Sequence, residues 1–223
     1  MSTSEETPLW RRIRDIVSSN RLFKFNIAYH DVDREAYADR LFEDGVVTIS
    51  DWALATNGGV ELATDGSVLT PETVHEPYGN TLKGQIQWDI IRDIMHEEIY
   101  PDEDTKIKAG KAIGSIRTFV EGVDPGDVLL VNLPSGIAPC VVEGPTVYDR
   151  STEYSDIAPN HIMYREVQWA SDGERPLTVS ADLLPPGFGT ARHTIEQVSD
   201  PSPMVELLRV VEWIGDSIGQ EER

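Results

Sequence analysis

Short hydrophobic runs, separated by turns rich in glycine and proline, recur along this chain and predict a sheet of short strands. The run Val-Val-Thr-Ile at 46–49 is rich in β-branched residues, which is typical of a strand. An Asp-Pro-Gly-Asp sequence at 124–127 predicts a turn, because proline presets one turn position and glycine permits the other. About six strands are predicted, at 22–29, 46–49, 128–131, 137–142, 147–148 and 165–169.

Apolar residues spaced three or four apart predict helices before, between and after these strands. The predicted helices cover a short stretch after Pro8 and the ranges 35–43, 85–100, 107–120 and 204–218. Gly45 is expected to end the second of these, as a glycine just past a helix does. The pattern therefore predicts an α+β fold, with a small β-barrel or curled mixed sheet flanked by helices.

Three segments are predicted along the chain. Residues 1–20 form an N-terminal extension with a short helix, 21–200 the main domain, and 201–223 a C-terminal helix. Residues 55–82 are rich in glycine, threonine, aspartate and proline. Because connections of that length are uncommon in a compact domain, they predict an insertion or a lid.

Composition adds a strong acidic bias, with 39 Asp and Glu against 19 Lys and Arg and a net charge of −20. Only five of the basic residues are lysines, and fourteen are arginines. This balance is typical of a halophilic protein. In 1 M salt the Debye length is roughly 3 Å, so repulsion between surface carboxylates is strongly screened. The alternative is an ordinary acidic cytosolic protein. Either way, the charge excludes a binding mode based on broad neutralisation of phosphates, and it excludes a polybasic membrane anchor.

The sequence favours a cytoplasmic, non-catalytic protein with no metal, no cofactor and no membrane partner. It has one cysteine, Cys140, a polar N-terminus, and no apolar run approaching ~18 residues. It lacks a phosphate-binding glycine loop, a dinucleotide fingerprint and a Gly-x-Ser-x-Gly motif. His96 has no second histidine four positions later, so it does not form the paired-histidine zinc motif.

Aromatic residues beside the predicted turns are the candidates for ligand binding. Trp52 follows a strand, and further aromatics are interleaved with His161 and Arg165. Aromatic faces next to a few polar groups suit the stacking of a flat heterocycle, at ~1–3 kcal/mol per base. For Trp169 a place in the core is an equal alternative, since Val167 points to the same face of its strand.

The order of several motifs resembles the EVE-like branch of the PUA fold. These are Gly-Ser-Ile-Arg-Thr-Phe-Val at 114–120, Gly126-Asp127 before an apolar run, Val147-Tyr148, and His161 followed by Arg165-x-Val167-x-Trp169. Upstream, Ile49-Ser50-Asp51-Trp52 stands where the family has Ile-Gly-Trp. The resemblance covers about residues 22–184, interrupted at 55–82. The first strand departs from the family, because Ala28-Tyr29-His30 replaces its usual basic end.

This resemblance implies a pocket that accepts an extruded nucleobase, often methylated or otherwise modified, in DNA or RNA. The family occurs in modification-dependent restriction systems of the Mrr and McrB kind and as free-standing proteins. The implied roles are stacking walls from Trp52 and Tyr148, a rim from Tyr29 and His30, edge hydrogen bonds from Ser50, Asp51 and Ser115, and phosphate contact or loop orientation from His161 and Arg165, with Trp169 as a further candidate.

Two other functions stay open at this point. One is a binder or hydrolase of a free modified nucleoside, with Asp51, His161 and Glu166 available for acid–base chemistry. The other is a protein-interaction subunit that docks a separately encoded nuclease or motor through Leu207, Leu208, Val211 and Trp213, although packing of that helix on its own domain is the favoured interpretation.

Overall fold

A sheet of seven strands forms the centre of the computed structural model, which describes residues 15–27, 33–49, 86, 88–94, 96–97, 106–148, 161, 163–184 and 194–207. The strands are β1 (Leu22–Asn26), β2 (Val46–Ile49), β3 (Val128–Leu133), β4 (Gly136–Val142), β5 (Val147–Tyr148), β6 (Met163–Trp169) and β7 (Ile195–Gln197). The helices are α1 (Arg34–Glu43), α2 (Trp88–Ile94) and α3 (Lys106–Arg117), with a π-helical turn at Thr118–Gly122 and a 3-10 turn at Ala181–Leu183. Residues 15–19 and 202–207 are also helical.

The strands lie in the order β2-β6-β4-β3-β1-β7, and β5 pairs with β6. Among the described pairings, β1 and β3 are parallel and the others are antiparallel. The sheet curls into a half-barrel. The predicted α+β class with a curled mixed sheet is therefore confirmed, while the assignment to the PUA fold stays a prediction.

Helix α1 begins one residue before the predicted start and ends where the sequence predicts. The Asp33 carboxylate accepts hydrogen bonds from the backbone N–H groups of Glu35 and Ala36, which satisfies two donors at the start of the helix. Gly45 follows the helix with a φ of 65°, a conformation that favours glycine, and β2 starts at the next residue. The short link places β2 directly after α1.

The predicted turn at 124–127 ties the start of β1 to the start of β3. The buried Asp127 carboxylate accepts hydrogen bonds from the Asp124 N–H at 2.7 Å, from Arg21 Nη2 at 2.6 Å and from Arg21 Nε at 3.1 Å. Gly126 has a φ of 92°. The Gly-Asp motif therefore stabilises the sheet in this chain.

Apolar side chains pack against both faces of the sheet. The larger cluster lies on the inner face with α1 and α3, and a smaller one on the outer face includes Val17 and Met204 from the two terminal helical segments. Strand β6 alternates between buried and more exposed positions over its whole length. This alternation assigns odd-numbered residues of β6 to the inner face.

Four strand predictions need correction. Strand β1 ends at Asn26 and not at Tyr29, and β3 extends to Leu133 instead of Val131. Strand β6 begins at Met163 instead of Arg165, and β7 was missed because it is three residues long with one buried position. The insertion at 55–82, the N-terminal extension up to residue 14 and the C-terminal helix beyond residue 207 lie outside the described residues. None of the described helices is long and apolar enough to cross a membrane.

Candidate functional site

Three segments with predicted site residues meet at the start of β6. Met163 is the register partner of Ile49, the last residue of β2, on one edge. On its other edge Met163 pairs with Tyr148, the last residue of β5. Ser50, Asp51 and Trp52 follow Ile49 directly in the sequence, and His161 precedes Met163 by two positions. The antiparallel register therefore brings distant parts of the sequence to one end of the sheet, here called the β6 start.

A buried polar cluster lies at this end of the sheet. The Nδ1 atom of His161 is 2.9 Å from the Tyr37 hydroxyl and 2.9 Å from Thr48 Oγ1, and the two hydroxyl groups are also hydrogen-bonded to each other. The rings of Tyr37 and His161 meet edge to face with centroids 5.5 Å apart. Tyr37 is 0%, Thr48 1% and His161 3% exposed. Helix α1, strand β2 and the segment that leads into β6 are thereby linked.

The cluster favours a neutral His161. Burial lowers the pKa of this imidazole to about 4 from its usual 6.5. In the triangle of Nδ1 and two oxygens, one hydroxyl can donate to Nδ1 while the other donates to the first hydroxyl. A proton on Nδ1 would leave one hydroxyl without an acceptor inside the triangle. Within the triangle, Nδ1 therefore fits the role of a hydrogen-bond acceptor.

Arg165 is buried and bonded to backbone carbonyl groups. It is 1% exposed, and its guanidinium donates to the carbonyls of Phe119, Val120, Val123 and Gly144 at 2.7–3.2 Å. Three of these carbonyls lie in and just after the π-helical turn, where helix carbonyls lack partners within the helix. The predicted phosphate contact for Arg165 is therefore wrong, because its donors are directed at the protein interior; loop orientation is the role that fits.

Phosphate contact is wrong for His161 as well. Its 3% exposure and its two hydroxyl partners place the imidazole in the interior, where solvent and a phosphodiester do not reach it in this conformation. The resemblance implies loop orientation as the alternative role for His161. This role agrees with the position of His161 two residues before β6.

A bulge between β4 and β5 explains why two separate strands share one edge of β6. The N–H groups of Glu143 and Gly144 both point to the Glu166 carbonyl, at 2.9 and 3.4 Å. Two residues thus face one, which is the pattern of a β-bulge. The Gly144 carbonyl then accepts from Arg165 Nη1. The bulge sets the position from which β5 runs to the β6 start.

Trp169 and Ser115 lie in the core, where neither offers an exposed surface to a ligand. Trp169 is 6% exposed, donates its indole N–H to the Leu41 carbonyl at 3.3 Å and packs edge to face with Phe42. Ser115 is also 6% exposed and donates to the Lys111 carbonyl of its own helix at 3.4 Å. The core alternative for Trp169 is confirmed, and the predicted ligand contact for Ser115 has no exposed group to make it.

The remaining candidates keep the status of predictions. Tyr29, His30, Ser50, Asp51 and Trp52 lie outside the described residues, and for Tyr148 the description covers the backbone pairing with Met163.

The acid–base set considered from the sequence does not come together in the described residues. His161 is buried, whereas Glu166 is an exposed residue of β6 on the outer face. Burial raises the pKa of the Cys140 thiol, which makes it a poor nucleophile. Among the described residues, no group of three or more His, Cys, Asp or Glu side chains could hold a metal ion.

Tyr37 and Thr48 are the residues that sequence reasoning missed. Both are polar side chains at positions where the pattern calls for apolar ones: Thr48 within a β-branched strand and Tyr37 on the buried side of α1. A buried hydroxyl requires a partner. This requirement is a signal in the sequence, but it does not identify the partner.

Function is argued from these residues, because a fold alone does not specify one. Comparison of the chain with protein-family models, curated proteins and solved structures finds no match.

Proposed function

We propose that this protein is a non-catalytic binding module for a modified nucleobase, such as a methylated base, in DNA or RNA. The observation that carries the proposal is the double pairing of Met163 with Ile49 and Tyr148. It brings the segment that leads to Trp52 and the strand that ends at Tyr148 to one end of the sheet. These are the two aromatics that the family resemblance implies as stacking walls.

Chain length supports this arrangement. Trp52 is three residues past Ile49 in the sequence, and three residues of extended chain span at most about 11 Å, so a wall formed by Trp52 would stay near the β6 start. Extrusion of a base costs a few kcal/mol, which stacking and hydrogen bonds to the base edge offset.

The charges of the chain favour recognition of a base over recognition of the backbone. The net charge is −20, and Arg165, a predicted phosphate contact, is directed inward. Few counterions would be released on binding, so we expect affinity to depend only weakly on salt. Binding in molar salt, which the composition favours, would then rest on stacking and hydrogen bonds.

The proposal extends to the biological context that the resemblance implies. We place the protein in a restriction or defence system, as a reader of modified DNA or RNA that works with a separately encoded nuclease or motor subunit. The reader would supply specificity and its partner the chemistry.

Binding to labelled oligonucleotides tests the proposal. Single- and double-stranded DNA and RNA, with and without methylated bases, are titrated with protein in 0.1–2 M KCl. We expect preference for one modified base, a shallow salt slope, and an affinity about 10- to 100-fold lower for Trp52→Ala with an unchanged melting temperature. Trp10→Ala is the matched control, because Trp10 lies outside the region of resemblance, and it should bind like the unchanged protein.

Two results would overturn the proposal. Equal binding of modified and unmodified oligonucleotides at every salt concentration excludes a reader of modified bases. Consumption of a free modified nucleoside by the purified protein would instead indicate an enzyme.

A further inference from the structure

We propose that Tyr37, Thr48 and His161 act as a positioning cluster, which sets the backbone at the β6 start and thereby the affinity of the candidate site. The inference rests on the proposed function for its effect on binding. It assigns a role to two residues, Tyr37 and Thr48, that the family resemblance does not include. It also gives His161 a positioning role in place of a ligand contact.

The cluster joins three separate parts of the chain through buried hydrogen bonds. Tyr37 lies on α1, Thr48 on β2 and His161 just before β6, and all three are at most 3% exposed. A buried hydroxyl without a partner costs about 1–3 kcal/mol. Each of the three side chains therefore resists displacement of the other two.

The cluster lies next to the backbone that it would position. Thr48 is the register partner of Tyr164, and the neighbouring pair is Ile49 with Met163. A change at Thr48 thus acts one residue before Ile49, where β2 ends. The same pair of strands continues to Val47 and Arg165, which alternate in step with Ile49 and Met163 as a hydrogen-bonded pair and give an internal reference in the same ladder.

The hydrogen-bond pattern makes the cluster sensitive to single atoms. With Nδ1 unprotonated, the two hydroxyl protons make two of the three contacts at a time, and each has an acceptor within the triangle. Removal of the Thr48 hydroxyl leaves Nδ1 and the Tyr37 hydroxyl with one partner fewer each. Serine at position 48 keeps the hydroxyl, whereas valine keeps the shape and removes it.

Thr146 provides a matched control elsewhere in the core. It is 1% exposed, like Thr48, and donates its hydroxyl to the Phe119 carbonyl at 3.3 Å. Thr146→Val therefore removes a buried threonine hydroxyl without touching the cluster.

The experiment compares Thr48→Val, Thr48→Ser and Thr146→Val in two measurements. In the oligonucleotide assay described above, we expect Thr48→Val to lower affinity at least 10-fold and Thr48→Ser to bind like the unchanged protein. We expect Thr146→Val to lose about as much stability as Thr48→Val but to keep the affinity of the unchanged protein. Backbone hydrogen exchange without ligand is the second measurement. We expect Thr48→Val to speed exchange at Ile49 and Met163 at least 10-fold relative to Val47, and Thr146→Val to have no such local effect.

The two measurements separate the inference from the proposed function. If Thr48→Val exchanges and binds like the unchanged protein, the positioning role is wrong. If it loses stability and affinity no more than Thr146→Val does, the hydroxyl has an ordinary core role and the inference is also wrong. If the unchanged protein binds no oligonucleotide while the local exchange effect is present, the proposed function fails and the positioning of the β6 start stands.

Discussion

Two buried polar side chains that bond to other parts of the protein, His161 and Arg165, characterise this protein at the scale of single residues. His161 is enclosed by two hydroxyl groups and Arg165 by four carbonyl groups. Both are residue types that often contact nucleic acid when exposed, but here their polar atoms are directed at the protein. The same side chains therefore act on the candidate site through the backbone that they hold.

Stability should fall as the pH drops from about 6.5 to about 4, because the folded protein holds His161 neutral. Above pH 6.5 the imidazole is neutral in both states, so its full contribution is present. Between these values the unfolded chain binds a proton that the folded protein does not, which favours unfolding by up to about 3 kcal/mol at 1.36 kcal/mol per pKa unit. Urea unfolding across this pH range measures the effect.

His161→Asn is the control, because the amide does not titrate. Carboxylates also titrate near pH 4, so the informative quantity is the difference between the two pH profiles. Parallel profiles for the unchanged protein and His161→Asn would contradict the depressed pKa of His161.

At the scale of elements, one side chain joins a helix end to a strand bulge. Arg165 on β6 bonds the π-helical turn after α3 and the bulge carbonyl of Gly144. The guanidinium carbon of Arg165 lies 5.5 Å from the centroid of the Phe119 ring. Burial lowers the pKa of the guanidinium to about 10, so Arg165 stays charged at neutral pH. The turn, the bulge and β6 therefore hold one another in place.

Arg165→Lys should lower the free energy of unfolding by about 2–4 kcal/mol. A lysine has three donors on a single nitrogen and cannot reach carbonyls on both elements, which leaves buried acceptors unpaired at about 1–3 kcal/mol each. Urea unfolding measures the loss. Arg40→Lys is the matched control, because Arg40 pairs with Asp44 on the surface, and it should change stability by less than about 0.5 kcal/mol. Equal effects of the two substitutions would contradict the role of Arg165.

At the scale of the whole molecule, a sheet with apolar clusters on both faces is combined with a strongly acidic composition. The clusters stabilise the folded chain at any ionic strength. The net charge of −20 opposes compaction when salt is low, because like charges repel over a Debye length of roughly 10 Å at 0.1 M. Stability is therefore expected to depend on the solvent more than on any one ion pair.

The melting temperature should rise by about 5–10 °C between 0.05 and 1 M KCl, the range in which screening of surface charge becomes nearly complete. Differential scanning calorimetry measures the change. Sucrose at matched viscosity is the control, because it favours the compact state without screening charge. A flat or falling melting temperature across this range of KCl would contradict the halophilic interpretation of the composition.

Local signals in the sequence predicted most of the elements but not how they pair. Gly45 after α1, the 124–127 turn and the β-branched run of β2 each carry their own physical cause, so each was predictable. Strand β7 has one buried residue and no such local signal, and its existence depends on the edge of β1. Burial of polar groups was the least predictable feature, because His161, Arg165 and Ser115 have residue types that suit the surface equally well.

By itself, the sequence determined the acidic composition, and it determined the fold class and the boundaries of the elements that have caps or turns, because these follow from neighbours within a few positions. Only the tertiary structure decided that Met163 meets both Ile49 and Tyr148, that Arg165 closes a helix end, and that Tyr37 and Thr48 enclose His161. These contacts join residues 15 to 124 positions apart. Register and burial set them, and both are properties of the whole sheet.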